Sequence, residues 1–260
     1  MTIPDLVNTL AAQGRYHFTT QEAVDATKSS QTAVRAALRR LKRKGHVAAP
    51  YRGFHVIVPP EYRRLGCLPA DQFIPQLMEY LGLHYYVALL SAARYHGATH
   101  QQPQVFQVIV QTNRPALTCG EVHVRFVARR NADSIPTVAF NTPRGQVDVS
   151  TPEATAFDLV GYPEHAGGLD NVSTTLSGLM ENTDSKRLAA LAPLSPVPWS
   201  QRLGYLLFQT GLTSFADALG DYVARNAKET VLLDPRGSAS SATSDRRWKV
   251  IPNVDLEAEL

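Results

Sequence analysis

The side chains with catalytic potential in this sequence are scattered, and their spacing does not build a familiar active site. A metal-dependent nucleotidyl transferase holds Mg²⁺ with paired carboxylates two residues apart on a strand. The segment Asp148-Val149-Ser150 supplies one carboxylate where two are needed. The sequence also lacks a G-x-S-x-G nucleophile elbow, a G-x-x-x-x-G-K-[ST] phosphate loop and a dinucleotide-binding glycine fingerprint. We therefore predict that the protein is not an enzyme.

Histidine and cysteine residues offer little for metal binding. His96 and His100 are four residues apart, a spacing that places two imidazoles on one helix face. However, Gly97 and the proline shortly after it indicate that the helix ends there. Cys67 and Cys119 are too few for a disulfide framework and too isolated for a zinc knuckle. We predict no metal, no cofactor, and two cysteines that are buried or idle.

The sequence favours binding to a polyanion. The residues that predict this binding lie on a basic helix within residues 29–45. At about 100° per residue, an apolar stripe is formed by Val34, Ala37, Leu38 and Leu41. The opposite face carries Thr32, Ala36, Arg39 and Arg43, with Arg35 and Arg40 on its flanks. Ser29 or Ser30 can supply the N-cap oxygen, and Gly45 can end the helix in a left-handed conformation.

Charge is distributed unevenly along the chain. The net charge of the 260 residues is only +3. Residues 1–66 contain 3 Lys and 8 Arg against 2 Asp and 2 Glu, a balance of +7, which leaves −4 for the remainder. This asymmetry predicts a basic N-terminal module that binds a polyanion, followed by a mildly acidic body with a different role.

The elements around the basic helix predict a winged helix-turn-helix. A first helix begins near Ile3 and ends before Gly14, and a capping box of Thr19 and Glu22 opens a second short helix. After the basic helix, residues 47–49 and 54–58 form a hairpin whose turn contains Arg52 and Gly53. In this motif the third helix enters the major groove of DNA and the wing contacts the backbone or the minor groove.

Predicted DNA contacts follow from this arrangement. Phosphate contacts are expected from Lys28, Arg39, Lys42, Arg43 and Arg52. Base contacts are expected near the start of the third helix, from Gln31, Thr32 and Arg35. The alternative is that the basic face is only solvated. The N-cap, the apolar stripe of the helix, the hairpin and the positive charge of residues 1–66 agree with one another, and together they favour DNA binding.

The remainder of the chain predicts a second domain. The segment Pro59–Gly66 breaks both periodicities, so we expect a DNA-binding domain at 1–66 and a second domain at 67–260. The predicted fold is α+β, with a winged helix-turn-helix followed by a larger mixed α/β domain whose sheet of about four to five strands is flanked by helices. Expected strands cover 105–110, 122–127, 137–140 and 146–149. Expected helices cover 71–81, 85–95, 171–181, 185–191, 200–210 and 214–225, with a further helix starting at Thr151-Pro152. We predict a mobile loop at 234–245 and a final strand at 248–254 that returns to the sheet.

The sequence does not predict membrane association or export. No apolar run approaches the roughly 20 residues that span a bilayer, and the opening residues lack the basic region of a signal peptide. We therefore expect a cytoplasmic protein with no membrane partner.

Several segments of the chain are similar to a known protein family. The winged helix at residues 1–58 is followed by Tyr85-Tyr86-Val87-Ala88-Leu89-Leu90-Ser91-Ala92-Ala93, by Ser150-Thr151-Pro152-Glu153-Ala154-Thr155-Ala156-Phe157-Asp158-Leu159, and by a terminal strand near Asn253-Val254-Asp255. Together they resemble an AbiEi-type antitoxin of a type IV toxin–antitoxin system.

This resemblance implies a DNA-binding autoregulator. In the family, the winged helix represses its own promoter at inverted repeats in double-stranded DNA, and the C-terminal domain counters, directly or indirectly, a nucleotidyltransferase-like toxin encoded next door. By position, the groove-reading role falls on the helix from Ser30 to Lys44 and the wing role on Tyr51 to Phe54. Ser30 and Tyr51 thus join the predicted DNA contacts. The absence of catalytic motifs agrees with a non-enzymatic antitoxin.

Two other functions are compatible with the sequence. The protein could be a one-component transcriptional regulator whose second domain, from about residue 70, senses a small molecule. It could also be an enzyme tethered to DNA, for which Asp148 and Glu153 would be the first carboxylates to test.

Overall fold

A computed structural model describes residues 1–99, 103–181, 183–238 and 242–256. The chain forms two compact units. Unit 1 contains Met1–Val87, Gln104–Asp133 and Ala139–Asp148, and unit 2 contains Ala88–Pro103, Ser134–Val138 and Val149–Leu260. The N-terminal helices and hairpin therefore share a unit with strands from the middle of the chain. A division into domains at 1–66 and 67–260 remains a prediction.

The N-terminal part of unit 1 has the element order of a winged helix-turn-helix. Its elements are α1 (Ile3–Ala12), β1 (His17–Thr19), α2 (Thr20–Thr27), α3 (Gln31–Arg43), β2 (Val47–Tyr51) and β3 (Phe54–Ile57). The three strands form one antiparallel sheet in the order β1-β3-β2. A core that includes Leu6, Phe18, Val34 and Leu38 joins the three helices to this sheet.

The rest of unit 1 consists mainly of a short helix and strands. These elements are α4 (Ile74–Leu81), β4 (Tyr85–Val87), β5 (Val105–Val110), β6 (Leu117–Cys119) and β7 (Val122–Ala128), with the greater part of β8 (Thr137–Thr142) and β9 (Gly145–Ser150). Strands β4 to β9 form a six-stranded sheet in the order β6-β7-β5-β4-β9-β8. Strand β5 runs parallel to β7 and antiparallel to β4. The mixed α+β fold class is confirmed, with six strands rather than four or five.

One contact shows how the β8–β9 turn packs within unit 1. The guanidinium of Arg144 lies 3.4 Å from the centre of the Tyr16 ring. It also donates a hydrogen bond of 2.9 Å to Gln72 Oε1 and lies 3.7 Å from the Glu61 carboxylate. This arginine therefore connects the turn to the winged helix-turn-helix and to the segment that follows it.

The prediction of one helix over residues 85–95 is wrong for its first turn. Tyr85–Val87 forms β4, in which Tyr85 pairs with Val110 and Val87 with Val108. Aromatic and β-branched residues suit this buried strand, and the helix α5 covers only Leu89–Tyr95.

Unit 2 is mainly helical. It contains α5 and then α6 (Pro152–Gly161), α7 (Leu169–Met180), α8 (Ser185–Leu191), α9 (Val197–Gln209) and α10 (Thr213–Asn226). Helix α6 begins as predicted, with the Thr151 side chain accepting a hydrogen bond from the Ala154 N–H and Pro152 in the first turn. Trp199 and Trp248 pack against helix glycines of this unit, Gly161 and Gly204.

The predicted final strand does not join the six-stranded sheet. Instead, β11 (Val250–Ile251) pairs in parallel with β10 (Val231–Leu232) in a separate two-stranded sheet. Lys249 has a φ of +51°, which interrupts an extended conformation before β11, and Pro252 lacks an N–H donor after it. The predicted loop at 234–245 includes residues 239–241, which lie outside the described residues.

No helix in the described ranges is long and apolar enough to cross a membrane.

Candidate nucleic-acid interface

The basic helix α3 is defined at both ends by its own sequence. Ser30 is the N-cap, and its Oγ accepts a hydrogen bond of 3.2 Å from the Ala33 N–H. The Ser29 hydroxyl instead donates to the Thr27 carbonyl. At the other end, Gly45 has a φ of +69°, as predicted for a left-handed stop. These ends fix which residues of the helix face the core.

Helix α2 is held in place by the predicted capping box. The Glu22 carboxylate accepts a hydrogen bond of 2.6 Å from the Thr19 N–H, and the Thr19 hydroxyl accepts one of 3.1 Å from the Glu22 N–H. Arg15 is paired with the same carboxylate. Burial alone would raise the pKa of Glu22, but the hydrogen bonds from Arg15 and Thr19 lower it. The turn that leads into α3 then passes through Lys28, which has a left-handed φ of +50°.

The amphipathic division of α3 is observed as predicted. Val34, Leu38 and Leu41 are buried in the core. The ten residues predicted to contact DNA are all exposed: Lys28, Ser30, Gln31, Thr32, Arg35, Arg39, Lys42, Arg43, Tyr51 and Arg52. Eight of them lie on α3 or in the turn before it, and the other two lie at the wing.

Within the part of the chain that the structure describes, the cations of α3 form no ion pairs. Other arginines form such pairs, for example Arg15 with Glu22 and Arg236 with Glu164. Among the residues that the structure describes, no carboxylate lies within ion-pair distance of Arg35, Arg39, Arg40, Lys42 or Arg43. A helix face with several exposed arginines and no internal counter-charge is suited to binding phosphate.

The wing is braced from one side by α4. The turn between β2 and β3 contains Gly53 at a φ of +81°. The Tyr80 hydroxyl donates to the Arg52 carbonyl at 3.4 Å, and the Tyr80 ring lies 5.5 Å from that of Phe54. The side chains of Tyr51 and Arg52 remain exposed. The wing therefore offers a cation and an aromatic ring on a supported turn.

The structure shows a cavity of about 280 Å³ between α3 and the wing strands. Arg35, Arg39 and Lys42 contribute to its wall, together with apolar residues of α3 and β2. At its edge His55 Nε2 lies 2.9 Å from the Thr20 hydroxyl. Burial first, and then the charge of Lys42, lower the pKa of His55 to about 4. No pattern in the sequence indicated this cavity, because it arises from the packing of two elements distant in sequence.

The structure also locates the other candidate groups. His96 Nε2 lies 2.7 Å from the Ser150 carbonyl oxygen, and His100 lies outside the described residues. Asp148 is exposed, whereas Glu153 is buried in α6. In the ranges that the structure describes, His, Cys, Asp and Glu side chains do not gather in groups of three or more that could hold a metal ion.

Comparison with known proteins finds a family match in the central part of the chain. Residues 86–209 match the family described as the AbiEi antitoxin C-terminal domain. This region is similar to the AbiEi antitoxin C-terminal domain. The resemblance seen in the sequence is thereby confirmed for these residues.

The fold is similar to one solved structure over nearly its whole length. The structure is described as that of the RV2827C protein from Mycobacterium tuberculosis, with a TM-score of 0.67 and 19% sequence identity. The similarity covers 95% of this chain and 89% of that one. At this identity the likeness concerns the fold alone. No curated protein matches the sequence.

Proposed function

We propose that this protein is the DNA-binding antitoxin of a type IV toxin–antitoxin system. It represses its own operon through residues 1–66 and counters a nucleotidyltransferase-like toxin through residues 67–260. The observation that carries the first part is the exposed, unpaired cationic face of α3 beside a supported wing. The observation that supports the second part is the AbiEi antitoxin domain at residues 86–209.

In this proposal α3 lies in the major groove. Its N-terminal residues Gln31, Thr32 and Arg35 face base edges, where amide, hydroxyl and guanidinium groups can donate and accept hydrogen bonds. Arg39 and Arg43, one turn apart on the face opposite the core, contact phosphates. Arg52 of the wing contacts the backbone on one side of this groove. Inverted repeats in the promoter would bind two copies of the protein, one at each half-site.

The antitoxin part acts in the cytoplasm and without catalysis. It counters the toxin directly or indirectly, and it needs neither a cofactor nor a membrane.

Promoter repression and toxin protection can be tested separately in cells. A reporter gene under the promoter upstream of this reading frame measures repression, and growth with the adjacent toxin gene measures protection. The variant Arg39→Ala/Arg43→Ala removes two exposed cations from α3. The control Lys186→Ala/Arg187→Ala removes the same charge from exposed positions of α8.

We expect the α3 variant to lose most repression and to keep toxin protection, and the control to keep repression. Full repression by the α3 variant would contradict the assigned DNA-binding face. Failure of the wild-type protein to restore growth would contradict the antitoxin role. Release of the promoter by a small metabolite would favour the sensor function instead.

A further inference from the structure

The structure brings together the two cysteines that the sequence places 52 residues apart. Cys67 follows the winged helix-turn-helix and has no exposed surface, and Cys119 ends the edge strand β6 with an exposed fraction of 7%. Both belong to unit 1 and both are free thiols. Each thiol shifts the pKa of the other, which is consistent with two neighbouring side chains.

A close backbone approach holds the two cysteines in register. The Glu121 N–H donates a hydrogen bond of 2.8 Å to the Leu65 carbonyl. Between these residues and the cysteines lie Gly66 and Gly120, both with positive φ. A Cβ on Gly120 would lie 2.0 Å from the Leu65 carbonyl oxygen, so only glycine permits this contact. The juxtaposition of the thiols is therefore built into the backbone.

The two thiols have different surroundings. Cys119 lies near the Ala49 N–H of β2 and near the positive charge of Lys42 on α3. The hydrogen bond from Cys67, the charge of Lys42 and the Ala49 N–H lower the pKa of Cys119 despite its burial. Donation to Cys119 and burial raise the pKa of Cys67. Because the thiolate is the nucleophile, Cys119 reacts first.

We propose that Cys67 and Cys119 form a peroxide-sensitive thiol pair that closes to a disulfide within one chain. In the first step the Cys119 thiolate attacks hydrogen peroxide, the O–O bond breaks, and Cys119 sulfenic acid and hydroxide are formed. In the second step the Cys67 sulfur attacks the sulfenic sulfur, its proton is transferred to the departing oxygen, and water leaves. The cysteines are oxidised by two electrons in total and the peroxide is reduced.

The geometry suits the second step. A disulfide places the sulfurs about 2.05 Å apart, and the backbone contact between Gly66 and Gly120 already holds the two cysteines beside each other. The bond would tie the segment after the hairpin to the edge strand β6 and close a long loop. Closing a long loop restricts the unfolded chain, and we therefore expect the oxidised protein to melt several degrees higher.

The test uses the purified full chain, reduced and then treated with hydrogen peroxide. We expect the intact mass to fall by two hydrogen atoms, with a peptide map that links Cys67 to Cys119. In the Cys67→Ser variant the reaction stops at the first step, and dimedone labels Cys119. In the Cys119→Ser variant dimedone leaves Cys67 unlabelled.

Three results would overturn the proposal. These are an unchanged wild-type mass after peroxide treatment, a disulfide between two chains, and dimedone labelling of Cys67 in the Cys119→Ser variant. The wild-type mass needs no substitution, so it decides the question even if a variant folds poorly.

Discussion

The replacement Gly204→Ala tests the packing of the antitoxin domain. Gly204 lies in the middle of α9, where the six-membered part of the Trp248 indole contacts it directly. A Cβ at this position would lie 2.1 Å from Cζ3 and 2.4 Å from Cε3 of Trp248. Trp248 has no exposed surface, so its rigid ring cannot move towards solvent without opening the core.

The expected magnitude is a balance of two effects. Alanine is favoured over glycine in a helix interior by about 1 kcal/mol. Overpacking a filled core costs about 1–3 kcal/mol, and a contact this short with a rigid ring belongs at the upper end of that range. We therefore expect the free energy of unfolding to fall by about 2 kcal/mol.

Urea unfolding followed by tryptophan fluorescence measures this effect, because the displaced indole itself reports the change. The matched control is Gly220→Ala in α10, where a Cβ would lie 3.2 Å from Nη2 at the flexible end of Arg247. Here the higher helix propensity of alanine outweighs the mild contact, and we expect the free energy of unfolding to rise by about 0.5–1 kcal/mol. Equal stabilisation by both replacements would refute the assigned contact between Gly204 and Trp248.

Two further predictions concern the winged helix-turn-helix. Ser30→Ala removes the oxygen that accepts the Ala33 N–H; we expect a loss of about 1 kcal/mol in urea unfolding, and only a few tenths for Ser30→Gly. His55 has a pKa of about 4 in the folded chain against an ordinary 6.5, so the unfolded chain binds more protons within this window and stability falls as the pH drops from 6.5 towards 4. Because the ring is partly exposed, we expect a loss of about 1–2 kcal/mol. His55→Gln should flatten this pH dependence, and an unchanged profile for this variant would contradict the assignment.

Local signals are sufficient to predict the winged helix-turn-helix. The Thr19 capping box, the cap at Ser30, the stop at Gly45 and the turn at Gly53 all act within a few residues. Each can be predicted from sequence because its partner lies nearby in the chain. The strand His17–Thr19 was missed, since it has only three residues and depends on β3, more than 30 residues later.

Features that depend on distant partners could not be predicted. The short apolar run Tyr85–Val87 is compatible with a helix or with a strand. Its pairing with β5 makes it a strand, and this partner is distant in sequence. The contact between Cys67 and Cys119 depends on the meeting of two glycine turns. The left-handed φ of Lys249 leaves no signal in the sequence, so the sequence predicts that the end of the chain joins the main sheet.

The candidate interface also combines residues that the sequence predicts with features that it does not predict. Its ten residues could be chosen from the helix period and the hairpin, and all of them are exposed. The cavity beside α3 and the lowered pKa of His55 depend on how α3 packs against the wing. The residues of the antitoxin domain that face a toxin leave no chemical signature in the sequence.

The salt dependence of DNA binding tests the role of α3 most directly. Fluorescence anisotropy with the upstream promoter DNA gives the binding constant of the purified chain between 50 and 200 mM salt. Each phosphate contact contributes about −0.9 to the slope of log K against log salt concentration. Arg39→Ala/Arg43→Ala should therefore weaken binding and make this negative slope shallower by about 1.8, whereas Lys186→Ala/Arg187→Ala should leave it unchanged. An α3 variant with the wild-type affinity and slope would show that this helix does not bind DNA.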